Sequence, residues 1–293
     1  MTTLAAVVAE ARKRLSEAGL PDAAIDARLL VGGLLKLSAT EMFVGGDRIL
    51  SEEEAALLEA AIQRRLKREP VHRILGSREF HGLDLRMSRE TLEPRPDTEI
   101  LVDAMLPYLR QVVATRGSAS ILDLGTGTGA IVLALLKDVP AAKGVGSDIS
   151  DDALATAAEN ARDLGLGERF QTVSSRWFAE IAGRFDIIVS NPPYIPSHVI
   201  PGLDPEVRDF DPLAALDGGP DGLAPYRDIA ADAAGFLEPD GVLGVEIGFD
   251  QKTAVTDIFT SAGFILTQAE RDYGGHDRVL VFRPNIVFEP ING

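Results

Sequence analysis

Three features of the sequence predict an α/β fold, a mostly parallel sheet covered on both faces, with a separate helical bundle domain at its N-terminus. From Ala119 onward, short apolar runs of strand length alternate with helical stretches. From Thr3 to about Glu69 the chain reads as helix throughout. The last two strand runs are joined only by Tyr273-Gly274-Gly275-His276, too short for a parallel crossover, so they close one edge as an antiparallel hairpin.

In the N-terminal part, Leu4, Val7, Val8, Ala11 and Leu15 share a helical face, and Gly19 with Pro21 ends that helix. A second helix runs from about Asp22 to Leu35, with Ile25, Leu29 and Leu30 as its apolar side. Ser38 to Phe43 forms a short third helix. Ser51-Glu52-Glu53-Glu54 is a capping box opening a fourth, which Pro70 stops. The cations at its end (Arg64, Arg65, Lys67, Arg68) complement the helix dipole better than they announce a nucleic-acid contact. Runs at 78–81 and 83–87 pair around Gly82, and Pro96 with Asp97 and Glu99 starts a helix through Ile100, Leu101, Met105 and Leu109. Strands are expected at 120–124, 144–148, 169–173, 185–190, 242–247, 264–270 and 278–283. Helices are expected at 129–137, 151–164, 222–235 and 250–261.

Composition narrows the function classes. The 293 residues allow one large domain or two ordinary ones, and 45% hydrophobic content supplies a sizeable core. There is no cysteine, which excludes disulfides, thiolate catalysis and cysteine metal sites. His72, His81, His198 and His276 are scattered without metal-ligand spacing, so no metal is expected. Apolar runs such as Ala130–Leu136 fall far short of the roughly 18 residues of a membrane helix, and the N-terminus lacks the order of a secretory signal. A cytoplasmic protein is expected, acting as a monomer. Its formal charge of −16 argues against gripping duplex DNA, which calls for a basic face.

Two stretches carry the chemistry. Ile121-Leu122-Asp123-Leu124 is a strand, and Gly125-Thr126-Gly127-Thr128-Gly129 turns it into a helix while letting a ligand approach the backbone. Asp148 ends the next strand with a carboxylate suited to ribose hydroxyls. By itself this loop fits both NAD and S-adenosylmethionine. The second stretch is Ser190-Asn191-Pro192-Pro193-Tyr194, after the strand Phe185–Val189. Two prolines cannot continue a sheet, so the chain leaves it at the strand's C-terminal end, where ligands of open α/β sheets bind. The Asn191 amide oxygen and Pro192 carbonyl are two acceptors, and Tyr194 a flat wall, suited to a planar NH2 group such as an amide or a base amine. Gly-x-Gly-x-Gly spacing, the preceding Asp123 and Asn-Pro-Pro-Tyr together favour S-adenosylmethionine over NAD. A dehydrogenase has no use for the last, and a silent binding module none for an intact loop.

Asp123–Gly129 with Asn191–Tyr194 resembles the HemK/PrmC family of protein-glutamine N5-methyltransferases. The likeness extends to Glu69-Pro-Val-His-Arg-Ile-Leu-Gly76, Arg78-Glu-Phe80, Pro94-Arg-Pro-Asp-Thr-Glu99 and Arg271-Asp-Tyr-Gly274. It implies a Rossmann-like class I S-adenosylmethionine-dependent methyltransferase fold, a seven-stranded sheet with a terminal antiparallel hairpin. The implied reaction is methylation of the Gly-Gly-Gln glutamine of peptide chain release factors. The alternative is an N6-adenine DNA or RNA methyltransferase using the same Asn-Pro-Pro-Tyr site. Gly125, Thr126, Gly127, Thr128, Gly129, Asp148 and Asn191 would bind cofactor, with Trp177 beside the adenine, and Asn191, Pro192, Pro193 and Tyr194 would take the substrate. The sequence departs from the family pattern at Arg176, where an acidic residue is usual, and at Glu93, where Ile is usual. The expected domains are a substrate-docking bundle at 1–75, a linker with a hairpin at 76–95, the methyltransferase domain at 96–283 and a tail at 284–293.

Overall fold

A computed structural model of the chain describes residues 2–285; most of the tail expected at 284–293 lies outside them. The chain divides into two compact units, Met1–Arg78 with Asp204–Phe210, and Glu79–Leu203 with Asp211–Gly293.

The first unit contains α1 (Leu4–Glu17), α2 (Ala23–Leu35), α3 (Ala39–Val44), α4 (Glu52–Leu66) and α5 (Val71–Leu75). Thr3 caps α1, and Ser38 with Glu41 and Ser51 with Glu54 form reciprocal capping boxes at α3 and α4. Each such cap is worth about 1 kcal/mol. The short α5 was not expected. The fourth helix already ends at Leu66, with Arg68 at φ +72°, rather than at Pro70, whose fixed φ of −59° instead starts the next turn. The apolar side of α2 also differs from expectation. Ala23, Ala27, Leu30 and Val31 are buried while Ile25 and Leu29 lie exposed. Small residues let α2 pack closely against α1, and Asp26 on the same side receives the buried Arg65 of α4 at 2.7 Å. Arg65 and Arg68 also pair with Glu206, and Arg64 with Glu69. The basic cluster is therefore largely spent on internal ion pairs. Removing one partner of the buried Asp26–Arg65 pair would cost on the order of 3–5 kcal/mol.

β1 (Ser77–Phe80) and β2 (Leu83–Arg86) form the expected hairpin. The second unit continues through a 3-10 turn (Pro96–Thr98), α6 (Glu99–Arg116), β3 (Ala119–Leu124), α7 (Ala130–Asp138), β4 (Ala142–Asp148), α8 (Asp151–Asp163), β5 (Phe170–Ser174) and β6 (Phe185–Ser190). After α9 (Pro205–Arg208), which groups with the first unit, come α10 (Leu213–Leu216), α11 (Ala224–Phe236), β7 (Leu237–Glu246), α12 (Lys252–Ser261), β8 (Phe264–Arg271) and β9 (Asp277–Pro284). The sheet order is β5-β4-β3-β6-β7-β9-β8, parallel through β7, with β9 antiparallel to both β7 and β8. The seven strands and the terminal hairpin are as expected. β7 begins at Leu237, earlier than anticipated, because Pro239-Asp240-Gly241 is absorbed where the pairing with β6 shifts register.

Successive strand residues enter opposite cores, as the two-residue repeat requires. Ile121, Ile187, Val189 and Val281 pack with α6 and α7, while Leu122, Ile188, Leu243 and Phe282 pack with α11 and α12. Both faces being covered explains why these strands read as unbroken apolar runs. The C-terminal ends of β3, β4 and β6 therefore stand side by side, and their loops build the site.

Candidate active site

The turn after β3 holds its shape through its own backbone. Gly125, Gly127 and Gly129 have φ of +71°, +55° and +82°, conformations a side chain resists. The Gly125 and Thr126 amides donate to the Ser147 carbonyl at 2.8 and 2.9 Å, tying the turn to the end of β4. The Gly127 amide donates to Asp148 Oδ2 at 3.0 Å, and the Ser150 amide to Oδ1 at the same distance. The Thr126 hydroxyl donates to the buried Asp123 at 2.7 Å. A Cβ on Gly129 would press on Leu133 and Ala157, so this glycine also sets how closely α7 and α8 approach.

A cavity of about 850 Å³ opens over this turn, at the large end of small-molecule sites. Its walls include Gly125, Thr126, Gly127, Thr128, Asp148 and Trp177, all expected at the cofactor. Gly129 caps α7 behind the turn. Ile149, 62% exposed, presents apolar surface to the same space. The Trp177 backbone has φ +50°, and its indole nitrogen donates to Asp228 Oδ2 at 3.2 Å. Arg176 also reaches Asp228, at 3.6 Å. A carboxylate therefore does stand in this wall, from Asp228 of α11. No local signal near Asp228 could have announced it, because α11 follows Trp177 by some fifty residues.

Of the four residues after β6, Asn191 and Pro193 line the cavity; Pro192 is buried behind them. Asn191 Nδ2 donates to Thr98 Oγ1 at 3.2 Å, which leaves its amide oxygen without a hydrogen bond among the described residues. Tyr194 differs from the flat wall expected of it. Its ring packs on the apolar core under α11, its hydroxyl turns to Glu246 Oε1 at 3.4 Å, and it does not line the cavity. Burial of the ring and a partner for the hydroxyl outweigh an open orientation. Its carbonyl accepts from Gln251 Nε2 at 3.0 Å, and a Cβ on Gly222 would collide with that carbonyl, so the 218–222 turn closes on the segment. Thr98, Pro94, Arg95 and the buried Glu93 complete the wall, and Arg95 is held by Asp211 at 2.8 Å. Apart from Glu93, these lie in the Pro94–Glu99 stretch that the resemblance had picked out without assigning it a role.

Two of the buried carboxylates beside the site, Asp123 and Glu246, have their affinity for protons raised by burial. Burial pushes Asp123 up to about 7 against the pull of the Thr126 hydroxyl. Burial likewise pushes Glu246 up to about 7, opposed by the Thr98 hydroxyl and Arg278. The Tyr194 hydroxyl is driven upward by burial and by the charge of Glu246.

A seven-stranded Rossmann-like sheet of this order, with a glycine turn and Asn-Pro-Pro-Tyr on adjacent strand ends, defines a class I S-adenosylmethionine-dependent methyltransferase. The cavity fits that cofactor, offering open glycine backbone, a carboxylate at the end of β4 and apolar walls. Residues 6–76 match the PrmC N-terminal domain, and residues 99–200 the methyltransferase small domain. The chain is 60% identical to the release factor glutamine methyltransferase of Agrobacterium fabrum, across 96% of this chain and 97% of that protein. It is 48% identical to the protein of the same name from Rhodospirillum rubrum, across 92% and 82%. The solved hMettl16 catalytic domain, in complex with a 3′UTR hairpin, shares the fold at TM-score 0.54 and 14% identity, over 79% of this chain and 82% of that one. The chain belongs to the release factor glutamine methyltransferase family.

Proposed function

We propose that this protein methylates the side-chain nitrogen of the glutamine in the Gly-Gly-Gln motif of peptide chain release factors. The observation that carries the reading is the Asn191 amide oxygen, in the wall of the same cavity as the glycine turn, with its nitrogen already committed to Thr98. An amide nitrogen is a poor nucleophile because its lone pair is delocalised. Asn191 Oδ1 accepts one of its hydrogens, aims the lone pair and favours positive charge developing on nitrogen; Pro192, expected to take the other hydrogen through its carbonyl, is buried behind the wall and fixes the segment's shape instead. Pro193 forms the adjoining wall, and Tyr194 buttresses the segment from beneath. The Gly125–Gly129 turn, Asp148 and Trp177 would hold S-adenosylmethionine, with Asp148 placed to take its ribose hydroxyls. Bound S-adenosylmethionine supplies an electrophilic methyl group and its own leaving group. Bound there, it would give its methyl to that nitrogen while the C–S electron pair left with sulfur, and the acidified N–H proton would pass to solvent.

The helical bundle of the first unit serves in this reading to dock the release factor. Among the described residues no helix is long and apolar enough to cross a membrane; in this reading the protein acts as a monomer in the cytoplasm. The acidic chain accords with a protein substrate rather than direct nucleic-acid binding. The test is methyl transfer from labelled S-adenosylmethionine to a release factor with unmodified Gly-Gly-Gln, with duplex and single-stranded DNA in parallel and mass spectrometry of the products. A gain of one methyl on that glutamine, lost when it is replaced by Ala, is expected. Label on DNA adenine would transfer the same site to the alternative substrate.

A further inference from the structure

We infer that Thr98 is a positioning residue that fixes which end of the Asn191 side-chain amide faces the cavity, and that Glu246 sets its polarity. The inference rests on the reading of Asn191 as the acceptor for the substrate NH2. A side-chain amide has nearly the same shape either way round, so sterics alone do not choose between oxygen and NH2 facing the ligand. Hydrogen bonding must choose. Thr98, 5% exposed as a residue, places its Oγ1 3.2 Å from Asn191 Nδ2. A hydroxyl has one proton to give. If that proton pointed at Asn191, the amide would turn over, bring its oxygen to Thr98 and present its NH2 to the cavity, donor against donor with the substrate amide.

Glu246 prevents this. The residue is 2% exposed, and the Thr98 hydroxyl is among the groups that favour its ionised form. Tyr194 engages Oε1 only at 3.4 Å, and Oε2 makes no well-formed hydrogen bond among the described residues. When ionised, a buried carboxylate so poorly satisfied draws the Thr98 proton to itself. Thr98 is then left to accept from Asn191, and the amide oxygen faces the cavity. The arrangement is assembled from three distant parts of the chain: the turn before α6, the end of β6 and the end of β7.

The experiment compares Thr98→Val, Thr98→Ser and Asn191→Ala for steady-state methylation of a release factor, calorimetric affinity for S-adenosylmethionine, and the NMR signal of the Asn191 side-chain NH2. Thr98→Val should lower kcat roughly tenfold to a hundredfold with cofactor affinity retained. The Asn191 NH2 signal should be sharp and slow to exchange in the wild type and averaged in the valine variant, and Thr98→Ser should restore both. Wild-type kcat in Thr98→Val, a loss confined to cofactor affinity, or a serine variant as poor as valine would each overturn the inference. If the valine variant does not fold, Thr98→Ala takes its place with the same expectations. Full turnover by Asn191→Ala would sink the underlying reading of the site. An inactive Asn191→Ala beside a fully active Thr98→Val would sink the positioning role alone.

Discussion

The turn after β3 and the segment after β6 leave neighbouring strands at the same edge of the sheet, yet they hold their shapes by opposite means. Gly125–Gly129 is fixed locally, by left-handed glycine backbone and by hydrogen bonds to the last two residues of the adjacent strand β4. Asn191–Tyr194 is stiffened by its prolines but oriented from afar, by Thr98, Glu246 and Gln251. Backbone amides suit a site that must accept a bulky cofactor closely. A side chain whose polarity is set by its neighbours suits a site that must hold one nitrogen. The comparison teaches that binding and turnover should be separable by mutation.

The strongest attempt to break that separation is Asn191→Ala. Its kcat should fall by about 10²–10³, the usual cost of losing one preorganised transition-state contact, while calorimetric cofactor affinity stays. Joint loss of affinity would erase the distinction. Asp148→Ala should do the reverse, weakening cofactor binding by roughly tenfold to a hundredfold, the worth of charged hydrogen bonds, with kcat at saturation preserved. Gly129→Ala sharpens the local character of the turn. Its φ of +82° and the crowding by Leu133 and Ala157 should cost about 1–2 kcal/mol in denaturant unfolding, together with weaker cofactor binding.

The smallest effect concerns the buried carboxylates, one behind each region. Asp123 and Glu246 have ordinary values of 3.8 and 4.5 when unfolded and are pushed up to about 7 when folded. Between these limits the folded chain holds more protons than the unfolded one, so their contribution to stability is present at the acid end and is lost as pH rises through about 7. Glu246→Gln removes its own, smaller share of this dependence. Melting temperatures of variant and wild type should be similar at about pH 5, with the variant gaining at about pH 8. An equal gap at both pH values would mean that Glu246 is not buried as an acid in the folded chain.

Much of the molecule was legible in the sequence. The seven strands, the terminal hairpin and the glycine turn all follow from local signals: apolar runs, a connection too short to cross over, glycine at positions of positive φ. The residues that orient Asn191 were not legible. Thr98 sits in an ordinary helix start and Glu246 at the end of an ordinary strand, and nothing within a few positions of either hints at the other. Ile25 and Leu29 misled for the same reason. Their spacing marks an apolar stripe, but closeness of helix packing favoured the small residues beside them.

The sequence alone determined which stretches become strands and helices, where the chain turns on glycine and where proline expels it from the sheet, because backbone sterics and side-chain periodicity act within a few residues. Only the tertiary structure decided which way Tyr194 faces, which carboxylate stands beside Trp177 and which end of the Asn191 amide meets the cavity. Those choices depend on hydrogen-bond partners and desolvation, which exist only once distant segments have been brought together and water has been removed from between them.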